Sequence, residues 1–525
     1  MLLVTTSTRH ALPELETTPD NIMLAALNLS ARAYSDRHLD AQSVIDTVNV
    51  RVQNWAPLAV TSLGFAESDR KFSVINGNLL RYDNENASAT VGVTMLGGKQ
   101  TLGISFEGSN DISTENGLKD WNHNVFSIKG YYDLLNEPHG DSGIGFLQSI
   151  VNYVNDHGIE QVLVTGHSLG GSAAQFFMQQ FGADDARYVG VTFGSPGTNR
   201  FQALPEERFA NIRHNDDEAV SAGETRGYEV SGSIINIRVE DSGIDGLSEH
   251  ALFVPLDDSG ISYRRSIEFI TSQLDASTLF QNMNIVPGTH SDNRLNAKEG
   301  QRMEVLLGGG GADSLIGEID GEQHLQIFKG GLGNDVIHGG GGIDYALYSG
   351  VRSNFTHQTS AAGELMIIDQ RADTHSEGTD TLQGIERIIF ADLAVALDVE
   401  GSAGRVAKLI GAIFGAESVP NPNYVAIGLS EFDKGTSYED LAAFAITAAG
   451  ATTPEQVTSL LWNNVVGSPT TDDQLQPYID LLNTGTTSIG ELGVYAAEQP
   501  LNQENIALSQ LAETGILFDP QGFIV

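Results

Sequence analysis

The stretch QVLVTGHSLGG, residues 161–171, decides how the first half of this chain is read. Val162, Leu163 and Val164 form a short apolar run suited to a buried parallel strand, and residues 172–181 (SAAQFFMQQF) read as a well-packed helix. Between them stands GxSxG, with Gly166 two residues before Ser168 and Gly170 two after it. Such spacing predicts a sharp strand-to-helix turn whose serine hydroxyl projects, the glycines letting strand and helix approach each other. A helix N-terminus behind the serine directs amide hydrogens and partial positive charge at an oxygen that turns anionic during acyl transfer. GxSxG alone arises by chance; the strand before it and the helix after it make Ser168 a candidate nucleophile.

Upstream, Val91, Val93 and Met95 alternate, Gly97-Gly98 turns the chain, and Leu102, Ile104 and Phe106 alternate again, which predicts a hairpin. Its second strand ends in Phe106-Glu107-Gly108-Ser109, a place where a second oxyanion donor can sit. Asp20 is a candidate cap for a covering helix over NIMLAALNLSARAY.

These features resemble the class 3 lipases. The resemblance rests on Phe106 to Ser109, Asp120-Trp121, Gly145-Phe146, Gly166 to Gly171 and Phe193-Gly194-Ser195-Pro196, in the family's order, and it covers residues 85–255. It implies an α/β-hydrolase domain, hydrolysis of lipid carboxylic esters, and a lid within residues 110–140. In that fold the triad acid and then the histidine follow the serine. Residues 209–214 (FANIRH) read as a strand, and Asn215-Asp216-Asp217-Glu218 follows where the family has an Asn-Asp-x-Val motif. Three consecutive acids blur the register: Asp217 is favoured, Asp216 next and Glu218 third. Of the histidines beyond them and before the glycine-rich repeats, His250 fits the family's late histidine better than His290. The expected site is therefore Ser168, Asp217 and His250, with the amides of Ser109 and Leu169 as oxyanion hole.

Length and charge frame this reading. A chain of 525 residues is too long for one core. Sixty-eight acidic residues against 28 basic ones give a formal charge of −40, which disfavours nucleic acid and anionic membranes and favours calcium. Zero cysteines exclude disulfides and thiolate metal sites. The N-terminus lacks a basic leader with an apolar core, and no run of about eighteen apolar residues occurs, so a soluble chain without a cleaved signal is expected.

Beyond residue 290 glycine and aspartate take over. Residues 308–316 (GGGGADSLI) and 330–338 (GGLGNDVIH) fit the nonapeptide GGxGxDxUx, and 339–347 (GGGGIDYAL) fits with a small residue at the apolar position. Such repeats wind into a parallel β-roll that binds calcium through aspartate and backbone carbonyls. Asp313, Asp335 and Asp344, with Gly308, Gly310, Gly330 and Gly333, are the expected calcium residues; Asp313 and Asp335 should stack on one edge and Asp344 should lie on the other. Residues 378–392 resemble the segment that closes β-rolls in RTX exoproteins. From residue 403 the pattern is helical, with capping sequences at Thr453 to Gln456 and at Ser488 and Glu491. The tail resembles a helical domain of bacterial exoproteins, and residues 518–525 resemble an uncleaved type I secretion signal.

The expected architecture is multidomain: an α/β-hydrolase domain (1–290), an RTX β-roll with β cap (291–400) and an all-α C-terminal domain (401–525). The expected function is a secreted, extracellular triacylglycerol lipase or phospholipase A1 with structural Ca2+, acting at a lipid–water interface and exported by type I secretion machinery. The competing expectation is a calcium-dependent adhesin with an inactive hydrolase domain.

Overall fold

The computed structural model describes residues 21–33, 55–75, 78–85, 87–108, 128–140, 143–198, 203–215, 217–225, 227–238, 263–274, 281–298, 300, 303–318, 325–360, 364–467 and 471–520. The chain divides into two compact units, residues 1–287 and 288–525.

The first unit is built on one sheet whose strands lie side by side in chain order. β1 (Phe72–Ile75), β2 (Leu79–Asn84), β3 (Ala87–Leu96) and β4 (Lys99–Phe106) are antiparallel. From β4 onward the ladder is parallel through β5 (Gln161–His167), β6 (Tyr188–Phe193), β7 (Phe209–His214), β8 (Ser233–Ile237) and the first residues of β9 (Met283–Thr289). Parallel neighbours need crossovers, and helices supply them: α2 (Ile128–Leu135) and α3 (Phe146–Asp156) between β4 and β5, and α4 (Leu169–Phe177) between β5 and β6. α5 (Glu218–Thr225) connects β7 to β8, and α6 (Tyr263–Gln273) connects β8 to β9.

β5 is apolar without alternation because both of its faces are covered. α1 (Ile22–Ala33) lies against one face, where the Ser30 and Thr165 hydroxyls meet at 2.7 Å. Ile104, Val164, Phe146, Ile150 and Phe177 belong to one continuous buried cluster. The helix read over 172–181 differs in detail: α-helix ends at Phe177 and a π turn spans Met178–Gly182.

The second unit begins with two ladders of short parallel strands. One ladder runs β11 (Met303–Gly310), β13 (Leu325–Leu332), β15 (Tyr345–Leu347) and β19 (Arg387–Ile389). The other runs β10 (Arg294–Asn296), β12 (Ser314–Ile316), β14 (Val336–His338) and β18 (Thr379–Gln383). Apolar residues stack in register through each, Leu306–Phe328–Ala346–Ile388 in the first and Leu295–Leu315–Ile337–Leu382 in the second. β16 (Phe355–Thr359) and β17 (Leu365–Asp369) add antiparallel strands beside β18.

Among the described residues eight α-helices follow, α7 (Ser402–Phe414), α8 (Pro422–Asp433), α9 (Tyr438–Ala448), α10 (Pro454–Val465), α11 (Asp472–Asn483), α12 (Ile489–Ala497), α13 (Pro500–Asn505) and α14 (Leu508–Thr514). Thr453 and Ser488 form the capping boxes read from sequence, and Thr471 with Gln474 forms a third. After α14 the chain returns to β structure: β21 (Ile516–Phe518) pairs antiparallel with β20 (Ala394–Ala396), so the helical segment is pinned at both ends to the same sheet.

Candidate active site

Ser168 sits between β5 and α4 with φ 56° and ψ −128°, one of three non-glycine residues with positive φ among the described residues. Such a conformation costs about 1–3 kcal/mol and persists only where the surroundings enforce it. Here they do. A Cβ on Gly166 would lie 2.2 Å from the Gly170 carbonyl oxygen, and one on Gly170 would lie 2.1 Å from that of Phe106. The two glycines of GxSxG thus let strand, turn and helix close on one another and on the end of β4. Ser168 is fully buried, and its Oγ has no hydrogen-bond partner. Leu169 is the first residue of α4, so its amide is among those that a helix leaves without an internal acceptor.

The end of β4 is anchored from several directions. The buried Arg81 guanidinium donates to both Asp83 oxygens at 2.9 and 3.0 Å, to Glu107 Oε2 at 2.5 Å and to the Ala33 carbonyl at 2.7 Å. Tyr131 of α2, inside the segment expected to contain a lid, donates to the carbonyls of Glu107 (2.6 Å) and Ser88 (2.8 Å). Burial pushes the Tyr131 phenol far above the ordinary tyrosine value, so it remains a donor at neutral pH. Ser109 lies outside the described residues, as do Asp120 and Trp121. Arg81 and Tyr131 were not singled out from sequence, and no local pattern marks them.

Asp217 follows β7 and is fully buried. Its Oδ1 accepts from the amides of Ala219 (2.8 Å) and Val220 (3.2 Å) at the start of α5, and its Oδ2 accepts from the Tyr263 hydroxyl at 2.6 Å. Tyr263 stacks on His214 (ring centroids 4.2 Å apart, planes 6° apart) and meets His167 edge-on at 6.1 Å. Burial and the Asp217 carboxylate push the Tyr263 phenol well above its usual range. Asp216 and His250 lie outside the described residues, and Glu218 opens α5. His290 is exposed and belongs to the second unit.

β5, β6 and β7 are adjacent and parallel, so Ser168 and Asp217 both emerge at the carboxyl edge, where open parallel sheets place their sites. The chain leaves β8 at that same edge, and α6 begins at Tyr263, which is bonded to Asp217.

The glycine-rich repeats form a second candidate site. In each one the aspartate turns one carboxylate oxygen onto the first glycine: a Cβ would meet Asp313 Oδ2 at 2.3 Å on Gly308, Asp335 Oδ2 at 2.1 Å on Gly330 and Asp344 Oδ2 at 2.6 Å on Gly339. The second and fourth positions require the left-handed region, as at Gly331 (φ 97°) and Gly333 (φ 140°). The third does not: the nearest atom to a Cβ on Gly310 is 3.7 Å away, and the next repeat has Leu332 there. The nonapeptide's glycine pattern follows from these needs.

Asp313 Oδ1 accepts from the Asn293 amide (2.7 Å), Asp335 Oδ1 from the Asp313 amide (2.8 Å), and Asp380 Oδ1 from the Asp335 amide (2.9 Å). Asp344 lies in the other column, accepting from the Gln326 amide at 3.2 Å. In Asp313, Asp335 and Asp344 the remaining oxygen, Oδ2, is buried without a hydrogen-bond partner. Burial raises these carboxyls to about 6, 7 and 8 respectively. Oxygen atoms left unpaired beside glycine backbone match what a hard divalent cation takes as ligands. Among the described residues no group of three or more His, Asp and Glu side chains is placed to hold a metal, so further ligands would be backbone carbonyls.

Sheet order and site geometry define the class of the first unit: a parallel-sheet domain carrying a strained serine at a strand–helix turn. Residues 111–221 match the family model described as lipase (class 3), and this unit therefore carries a lipase domain. No curated protein matches the chain. Among solved structures, the extracellular lipase LipA from Serratia marcescens aligns at 16% identity over 70% of this chain and 72% of that one, with a TM-score of 0.38. A triacylglycerol lipase whose catalytic centre is described as a serine protease triad aligns at 15% identity over 41% of this chain and 78% of that one (TM-score 0.26). A fungal lipase–inhibitor complex aligns at 16% identity over 42% and 70% (TM-score 0.21). Among the described residues no helix is long and apolar enough to cross a membrane.

If Asp217 is the acid of this site, Asp217→Asn should lower ester turnover by roughly 10³–10⁴-fold, as loss of an orienting carboxylate does elsewhere, with the fold retained because the amide oxygen can still cap α5 even though the bond from Tyr263 is lost. Tyr263→Phe should cost about 1.5–3 kcal/mol of stability, the range for one hydrogen bond to a charged acceptor. Near-normal kcat in Asp217→Asn would transfer the role to Asp216.

Proposed function

We propose that this chain is a secreted serine hydrolase of lipid carboxylic esters, a triacylglycerol lipase or phospholipase A1, with calcium-stabilised repeats. The observation that carries this reading is Ser168, buried and strained at the head of α4 with an unpaired hydroxyl. Ser168 Oγ attacks the ester carbonyl while His250 takes its proton; the carbonyl oxygen becomes an anion held by the amides of Ser109 and Leu169. Collapse breaks the C–O bond, His250 returns the proton to the leaving alcohol, and an acyl-serine remains. Water, deprotonated by His250, then releases the fatty acid and regenerates the serine. Asp217 orients the imidazole, and Tyr263 with the first amides of α5 keeps that carboxylate in place.

Calcium, when bound, would be held by Asp313, Asp335 and Asp344 with carbonyls from the glycine-rich turns that include Gly308, Gly310, Gly330 and Gly333, and it supplies positive charge that folds the repeats. Type I export with the signal at residues 518–525 fits this reading, since a metal-free segment can be unfolded during passage and fold outside.

Labelling of the native protein by an active-serine probe, lost in Ser168→Ala, tests the hydrolase against the adhesin reading. His250→Ala should remove ester cleavage to background, and His290→Ala should retain it within about twofold; the reverse pattern would overturn the triad. Activity on emulsified triacylglycerol against phospholipid vesicles separates the two substrate classes.

A further inference from the structure

Among α10, α11, α12 and α13 of the second unit opens a cleft of about 400 Å³. Leu461, Trp462, Val466, Tyr495, Ala496 and Leu501 are among its lining residues, and no charged side chain faces it. Three of the lining residues count among the large exposed apolar side chains of the described chain: Val466, Tyr495 (54% exposed) and Leu501 (43%). Apolar surface therefore continues from the cleft wall to its rim, an arrangement that marks a binding site more often than plain surface does.

The polar groups at the wall are few and mostly committed. Thr458 Oγ1 donates to the Pro454 carbonyl, and the Gln499 side-chain amide donates to the Tyr495 carbonyl. Trp462 Nε1 is buried with no acceptor. That N–H is shielded from solvent and so does not reach the open cleft, whose accessible lining is apolar.

Charge narrows the ligand further. Residues 454–501 contain six acidic residues and no lysine, arginine or histidine, within a chain of net charge −40. A carboxylate or phosphate head would find no counter-charge in the lining and a repelling net charge around it. A cationic head would find no carboxylate in the lining. Size sets the rest: a cavity of ~150 Å³ admits benzene, so this volume takes a chain on the order of ten to fifteen carbons.

We infer that this cleft binds one uncharged single-chain acyl lipid, chain inward and neutral head at the rim. The inference does not depend on the role of Ser168. The test titrates the full-length protein with 1-O-decylglycerol, an ether no esterase cleaves, below its aggregation threshold, while following tryptophan emission. A saturable change is expected in native protein, absent in Trp462→Phe, and at least tenfold weaker by calorimetry in Leu501→Glu, a rim change that leaves buried packing untouched, and in Ala496→Leu, which fills the cleft. Decanoate at pH 8 should bind at least tenfold more weakly than the ether. Absence of saturable binding, equal binding of decanoate, or binding unaltered in both cleft variants would overturn the assignment. So would ligand-free self-association abolished by Leu501→Glu, which would give the cleft to a second copy of the chain.

Discussion

Ser168→Gly is expected to make the first unit more stable and catalytically inert at once. Serine at φ 56° and ψ −128° occupies a region natural to glycine, and relief of that strain is worth about 1–3 kcal/mol. The unfolded chain gains freedom with glycine, which takes back about 0.5–1 kcal/mol, so a net gain of about 1 kcal/mol remains. No hydrogen bond is lost, because Oγ has no partner. Ser168→Ala keeps the strain but removes a buried hydroxyl that has no partner, and should not destabilise the native protein. Both changes remove the proposed nucleophile, and lipid ester cleavage should fall by at least about 10³-fold, with only the proposed oxyanion donors and substrate binding left. Thermal melts beside ester assays read both effects. An alanine variant that cleaves esters at near-native rate would refute the assignment of Ser168, and a glycine variant that melts earlier would show that the turn is not strained.

If calcium holds the repeats as proposed, its removal should unfold them and leave the serine turn folded. Chelation, or Asp313→Ala combined with Asp335→Ala, is expected to remove amide protection from residues 303–347 by several orders of magnitude, while residues 161–175 keep theirs. Three buried carboxylate oxygens lack a partner, and the glycine turns around them gain high conformational entropy on release. The pH dependence has a definite sign. In the metal-free fold Asp335 and Asp344 are raised to about 7 and about 8, above the ordinary aspartate value of about 4. The folded state therefore binds more protons than the unfolded one across that interval, and metal-free stability falls as pH rises from about 4 to about 8. Chelated protein should regain protection near pH 4–5, where protons replace the cation in neutralising these groups. Equal protection of the repeats with and without calcium at pH 7.5 would sink the proposal.

What could be read from the sequence was what depends on near neighbours along the chain. Gly166 answers to Gly170, Gly308 to Asp313 and Gly330 to Asp335, all within five residues, so the turn and the repeats leave a pattern. The capping boxes at Thr453 and Ser488 close within three residues and were equally visible. Tertiary structure decided the rest. Three consecutive acids follow β7, and no spacing along the chain shows that the Asp217 carboxylate is buried against Tyr263 from 46 residues further on. Arg81 reaches Glu107 across the antiparallel strands, and the apolar cleft draws its walls from four helices. Such contacts join residues that sheet order and helix packing bring together, and no spacing along the chain records them, because the loops between them can vary in length without altering the contact.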